Sequence, residues 1–229
     1  MALLSIVVPV YNEEATVRAV IARLVEIPLP VAREIIVVND GSTDGTRAVL
    51  DGLAPTPGVR VVHAPVNGGK GSAIRIGFGE AQGDIVAIQD ADLELDPAQL
   101  GALVEPILGN ETGVVYGSRF LAGRPDAPWR TVLANRLLTG VTNLLYGSAV
   151  TDMETCYKVM RTGVARSLDL SANRFDIEPE ITAKLLRAGH TIVERPVHFE
   201  PRSRAAGKKI GWRDGLQAIG TLLRHRAGR

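Results

Sequence analysis

The chain has 229 residues, 45% of them hydrophobic and 22% charged, with one cysteine and a formal net charge of +1. This composition excludes a disordered or low-complexity chain, and Cys156 alone excludes an internal disulfide framework and a cysteine-built zinc site. The near-neutral balance gives no reason to expect a nucleic-acid partner.

Strand-like, β-branched runs lie at residues 4–10, 34–38, 59–63, 85–88 and 113–116. Between them, residues 13–26, 43–53, 70–81 and 96–108 carry apolar side chains at helical spacing, as Val17, Val20, Ile21 and Leu24 do in the first. Such alternation predicts an α/β fold, with a mainly parallel, doubly wound sheet flanked by helices. Beyond Arg119 the regularity breaks. Residues 121–128, rich in Gly, Pro and charge, read as a loop, and residues 130–146 as a helix with an apolar face. A second lobe is expected from there, with strands at 155–160 and 191–199, a helix at 178–188 and a terminal helix from Trp212. No repeat is evident, no basic leader opens the chain, and no apolar run approaches the ~20 residues that span a bilayer. A cytoplasmic protein is expected, in keeping with the lone cysteine.

Charge is unevenly spread. From Arg195 onward nine Lys or Arg residues face two acids, Glu200 and Asp214, so a basic arm follows an acidic body. That arm suits a phosphate-rich partner or an anionic membrane surface, and a solvated basic helix explains it equally.

The run Gln89-Asp90-Ala91-Asp92-Leu93-Glu94 follows the fourth strand directly. Chance supplies Asp-x-Asp in many loops, so what singles this one out is its place beyond a strand's carboxyl end, where open α/β sheets gather ligands. Alternation along an extended strand puts Asp90 and Asp92 on one side, able to share a divalent cation that carries a diphosphate. Dinucleotide binding is excluded, because Pro9-Val10-Tyr11-Asn12-Glu13 lacks the glycines required after the first strand. A phosphate loop of the Gly-x-x-x-x-Gly-Lys-Ser/Thr type fails at Ala64 and Gly71. Asp40 ends the second strand, placed to accept from a nucleobase or ribose, while helix capping accounts for Ser42, Thr43 and Asp44. Lys70 opens a helix after a glycine-rich turn and is placed to face phosphate or solvent. Asp176, Glu178 and Glu180 near a helix N-terminus have an ordinary dipole explanation.

Taken in order, Pro9-Val10-Tyr11-Asn12-Glu13, Asn39-Asp40-Gly41-Ser42-Thr43-Asp44, Asn67-Gly68-Gly69-Lys70-Gly71 and Gln89-Asp90-Ala91-Asp92 resemble family 2 glycosyltransferases, above all the dolichol-phosphate mannose synthases and bacterial polyprenyl-phosphate glycosyltransferases. The likeness is tightest over roughly the first 120 residues. It implies a GT-A type, Rossmann-like fold forming one domain, in which residues 1–119 bind a nucleotide sugar and 120–229 the acceptor. It also implies Mg²⁺ or Mn²⁺ and inversion at the anomeric carbon. By this resemblance Pro9, Tyr11, Glu13, Asp40, Lys70, Asp90 and Ala91 form the donor site, with Arg204 and Lys209 closing over the diphosphate. Asp90, Asp92 and Glu94 form the metal set, Glu94 standing where mannose synthases often carry Gln. Arg119, Arg130, Glu154 and Glu178 are assigned to the acceptor, and Asp92, Asp152 and Arg119 to catalysis.

Asp152 has two possible tasks. A hydroxyl acceptor needs a carboxylate base, whereas a phosphate, with a second pKa near ~6, is already anionic at neutral pH and needs only orientation. The expected activity is transfer of mannose or glucose from a GDP- or UDP-sugar to polyprenyl phosphate by an enzyme peripheral on the cytoplasmic membrane face. The alternatives are a soluble transferase onto a small hydroxylated or phosphorylated acceptor and a non-catalytic nucleotide-sugar-binding regulator. The apolar faces of 130–146 and of the terminal helix suit a bilayer interface, core packing or a homodimer.

Overall fold

The computed structural model describes residues 2–201 and 212–228. Its elements in chain order are β1 (Leu3–Val10), α1 (Val17–Glu26), β2 (Ala32–Asn39), α2 (Thr46–Asp51), β3 (Val59–His63), α3 (Lys70–Glu80), β4 (Ile85–Ile88), α4 (Leu100–Leu108), β5 (Val114–Ser118), α5 (Trp129–Tyr146), β6 (Lys158–Arg161), α6 (Thr162–Ser167), α7 (Ile177–Arg187), β7 (Ile192–Pro196) and α8 (Trp212–Arg226). Among the described residues seven strands form one sheet, ordered β3-β2-β1-β4-β6-β5-β7. β6 alone runs antiparallel, against both β4 and β5. The mainly parallel α/β sheet read from the sequence is therefore present, with β6 inserted between β4 and β5 and β7 added beyond β5.

Apolar side chains cover both faces, which is why the strands read as nearly continuous hydrophobic runs. In β1, Leu4, Ile6, Val8 and Val10 face a core shared with α1 and α4, while Val7 faces the core built by α3 and α7. A third, smaller cluster joins Val150, Met153, Ala183 and Leu222, with Leu138, Val141 and Leu145 against it, and ties α5 to α7 and α8.

Several boundaries differ from expectation. The first helix begins at Val17 rather than at residue 13, because Asn12 is left-handed (φ 55°) and residues 13–16 form a turn that Thr46 Oγ1 holds by accepting from Glu13 N. The expected strand at 155–160 starts only at Lys158, because Thr155 Oγ1 instead donates to Gly117 O and brackets the end of β5. Helix α6 spans six residues, too few to give a periodic signal. On α5 the apolar residues divide into two sets. Leu138, Val141 and Leu145 pack inward, whereas Trp129, Leu133, Leu137 and Leu144 are exposed, and Thr139 and Thr142 are buried.

Candidate active site

The parallel strands β1, β2, β4 and β5 deliver Tyr11, Asp40, Asp90 and Arg119 to one edge of the sheet. Since β6 is antiparallel, its beginning lies at that same edge, and the segment 152–158 joins the site from the second half of the chain.

Asp40 is 2% exposed and clamps the glycine-rich turn, accepting from Gly68 N at 2.8 Å and Gly69 N at 2.7 Å. Burial raises its pKa, and the two backbone donors offset part of that rise. Asp40 thus holds the turn that launches α3 and Lys70. Gly69 has φ 93°, and an added Cβ at Gly71 would lie 2.4 Å from Ala172 O. Gly71→Ala is expected to cost roughly 1–3 kcal/mol and to displace Lys70, measurable by urea unfolding and by donor affinity. Asn12 fastens the neighbouring loop, with Thr43 N donating to its Oδ1 at 2.8 Å.

The Asp-x-Asp segment does not continue the strand. β4 stops at Ile88 and residues 91–92 lie in a turn, so strand alternation does not place Asp90 and Asp92. The turn is braced from below: buried Gln89 donates from Nε2 to Asp90 O and Leu95 O, and its Oε1 accepts from Tyr157 at 2.6 Å. Leu93 takes φ 64°, and Glu94 N donates to Asp92 Oδ1 at 3.2 Å. The methyl of Ala91 packs in the core. Among the described residues no group of three or more His, Cys, Asp or Glu side chains is arranged to hold a metal ion.

Lys70 links the turn to the second half of the chain. Its Nζ lies 2.9 Å from Asp90 Oδ1 and 3.1 Å from Glu178 Oε1. Burial opposes its charge, but the two carboxylates prevail and raise its pKa. Glu178 Oε2 in turn accepts from Lys158 Nζ at 2.6 Å. Lys158 has no exposed surface, donates also to Met153 O and Thr155 O, and sits 4.7 Å from the Tyr116 ring centroid. Asp90, Lys70, Glu178 and Lys158 therefore form an alternating chain of charges leading into the core. Beside it lies Cys156, its thiol pKa raised by burial and by the Asp90 carboxylate.

Arg119 and Asp152 make a two-point fork. Asp152 is fully buried; its Oδ2 accepts from Arg119 Nε at 2.7 Å and its Oδ1 from Nη2 at 2.8 Å, with the Arg119 backbone N–H a third donor at 3.0 Å. Burial works against the Arg119 charge, but Asp152 more than compensates and raises its pKa. Phe199 lies beneath the guanidinium at 5.5 Å. Glu194 sets the backbone under this pair, accepting from Thr151 N at 2.8 Å and Asp152 N at 3.2 Å.

Of the expected residues, Asp40, Lys70, Asp90, Arg119, Asp152 and Glu178 enter these contacts. Pro9 and Tyr11 lie at the end of β1, and Glu13 is buried with Thr16 Oγ1 donating to it. Arg130 is exposed on α5, its guanidinium 5.5 Å from the Trp129 ring, and no described contact joins it to Arg119. Arg204 and Lys209 lie outside the described residues. Sequence reading missed Lys158, Glu194, Gln89 and Tyr157. The one available signal was a lysine inside the apolar run Tyr157-Lys158-Val159-Met160, since unpaired lysines are almost never fully buried.

Seven strands with this order, carrying Asp-x-Asp at a strand end and a guanidinium at the next, define a GT-A type nucleotide-sugar transferase fold. Residues 5–169 match the glycosyl transferase family 2 model, and the chain belongs to that family of glycosyltransferases. It is 31% identical over 206 residues to glycosyltransferase AglD of Haloferax volcanii, covering 86% of this chain but only 33% of that protein. To the polyprenol monophosphomannose synthase of Mycolicibacterium smegmatis it is 29% identical over 216 residues, covering 90% of this chain and 80% of the relative. Among solved structures it resembles glucosyl-3-phosphoglycerate synthase from Mycobacterium tuberculosis, determined with Mn²⁺, UDP and phosphoglyceric acid. There the TM-score is 0.73 and the identity 26%, over 98% of this chain and 78% of the other.

Proposed function

We propose that this glycosyltransferase moves a hexose from a GDP- or UDP-sugar, with inversion, to polyprenyl phosphate at a membrane surface. The observation that carries this reading is the buried Arg119–Asp152 fork. It fixes a guanidinium plane while leaving Nη1 without a described partner, and a planar, preoriented guanidinium suits phosphate oxygens. With both Asp152 oxygens engaged by Arg119, Asp152 orients the acceptor's ligand, and a phosphate nucleophile needs no base.

Asp90 and Asp92 offer hard carboxylate oxygens, a donor set that suits Mg²⁺ or Mn²⁺. Two such carboxylates plus the donor's own phosphates are a common way to hold Mg²⁺, consistent with the lack of a third gathered acid among the described residues. When bound, such an ion supplies positive charge against the departing diphosphate. Lys70, already paired with Asp90, is placed to shift toward the diphosphate as it arrives.

No helix among the described residues is long and apolar enough to cross a membrane. The α5 side chains Trp129 (61% exposed), Leu133 (48%), Leu137 (61%) and Leu144 (85%) form one stripe flanked by Arg130 and Arg136, a pattern that favours lying on an anionic bilayer. A second reading, transfer to a small phosphorylated acceptor, is favoured by the phosphoglyceric acid bound to the mycobacterial synthase.

Donor turnover with Mn²⁺, measured against polyprenyl phosphate in phosphatidylglycerol vesicles and against soluble phosphorylated acceptors, tests both. Lipid-dependent release of nucleoside diphosphate is expected, and Leu133→Glu/Leu137→Glu should weaken vesicle sedimentation about tenfold without changing donor affinity. Turnover confined to soluble acceptors would overturn the lipid reading.

A further inference from the structure

Resting on the glycosyl-transfer reading above, we propose that Glu154 is a specificity residue whose carboxylate accepts a hydrogen bond from a hydroxyl of the transferred sugar. Among the described residues its Oε1 is buried with no hydrogen-bond partner. Buried polar oxygens are nearly always satisfied, so an orphan beside an active site points to a ligand that completes it. Its neighbours differ: both Asp152 oxygens are taken by Arg119 and Glu178 Oε2 by Lys158, while Glu178 Oε1, which also makes no hydrogen bond, is ion-paired with Lys70 Nζ at 3.1 Å.

Position selects the sugar rather than the nucleoside or the lipid. The transferred ring must lie between the diphosphate end, marked by Asp90, and the acceptor end, marked by Arg119, because its anomeric carbon is bonded to one and attacked from the other. Glu154 lies two residues from Asp152 and feels the charges of Arg119 and Asp152 as well as those of Lys158 and Glu178, the inner end of the chain reaching Asp90 through Lys70. It is thus within electrostatic reach of both ends. Burial raises its carboxyl to about 7, with Lys158 and Arg119 opposing that rise and Glu178 and Asp152 adding to it. A carboxyl so placed changes from donor to acceptor near neutral pH, which gives the role a second signature.

The test compares wild type, Glu154→Ala and Glu154→Gln by calorimetry with Mn²⁺, using GDP-mannose and UDP-glucose against GDP and UDP. For the donor that wild type prefers, Glu154→Ala should lose about tenfold in affinity while its nucleoside diphosphate affinity stays unchanged, the usual scale for a hydrogen bond to a charged group. Glu154→Gln should retain part of the sugar increment and flatten its pH dependence between about 6 and 8. Glu154→Gln, which keeps the side-chain volume, should melt close to the wild-type temperature, whereas a scaffold role for the carboxylate would lower it. Unchanged sugar discrimination in Glu154→Ala would overturn the proposal while leaving glycosyl transfer intact. Failure of wild type to bind any nucleotide sugar would overturn both.

Discussion

Asp152→Asn is expected to cut kcat/KM by about 100-fold, through the KM for a phosphate acceptor, while donor affinity is kept. The Arg119 guanidinium donates to both Asp152 oxygens, and an asparagine would turn an NH₂ toward one of those donors, breaking the fork and freeing the guanidinium to rotate. The pH–rate profile separates orientation from proton abstraction. A base would lose its acidic limb on mutation, by 10²–10⁴-fold in rate, whereas an orienting residue leaves the profile's shape unchanged. Asp152→Ala goes further, because Arg119 is 15% exposed at its side chain and would keep its charge with no hydrogen-bonded counter-ion. Breaking a buried pair in this way costs about 3–5 kcal/mol, a large part of the stability of an ordinary domain and visible in urea unfolding. If Asp152→Ala unfolds, Asp152→Asn with Arg119→Lys as a companion still reports on acceptor KM, since a lysine cannot form the fork.

The strands and the sheet edge that gathers Asp40, Asp90 and Arg119 were legible because parallel strands buried on both faces leave continuous β-branched runs, and motifs such as Asn39-Asp40-Gly41 and Gln89-Asp90-Ala91-Asp92 sit just beyond them. Strand alternation misled at Asp90 and Asp92 because β4 ends at Ile88, before the motif begins. The supporting residues were hidden for a different reason. Lys158 finds its carboxylate 20 residues away and Glu194 its backbone partners at Thr151, 43 residues away, pairings that only the antiparallel return of β6 between β4 and β5 creates. Period-two reading assigned Lys158 no special place, since nothing local says that both faces of that strand are covered. Asp40 shows a subtler case: its position was readable, but its grip on Gly68 and Gly69 depends on a turn nearly thirty residues on.

Lys158→Met is expected to destabilise the protein by about 3–5 kcal/mol, the usual consequence of leaving one member of a buried pair behind. Three losses combine. Glu178 Oε2 loses its partner at 2.6 Å, and the carbonyls of the fully buried Met153 and Thr155 lose a donor. Glu178 then has Lys70 as its remaining close cation, at 3.1 Å, and should draw it away from Asp90. The damage therefore reaches the Asp-x-Asp turn, and Mn²⁺-dependent donor affinity should fall along with stability although Lys158 touches no substrate. A double-mutant cycle with Glu178→Gln separates these effects. Removing both charges should recover the pairing loss, giving a coupling of at least 1 kcal/mol in urea unfolding. It should not recover the loss at the 153 and 155 carbonyls, because methionine donates nothing to them. Those carbonyls flank Glu154 and follow Asp152, so the double variant should remain less active than its regained stability suggests. Strict additivity would mean that Lys158 serves only to hold the loop, and that the alternating chain from Asp90 to Lys158 carries no coupling of its own.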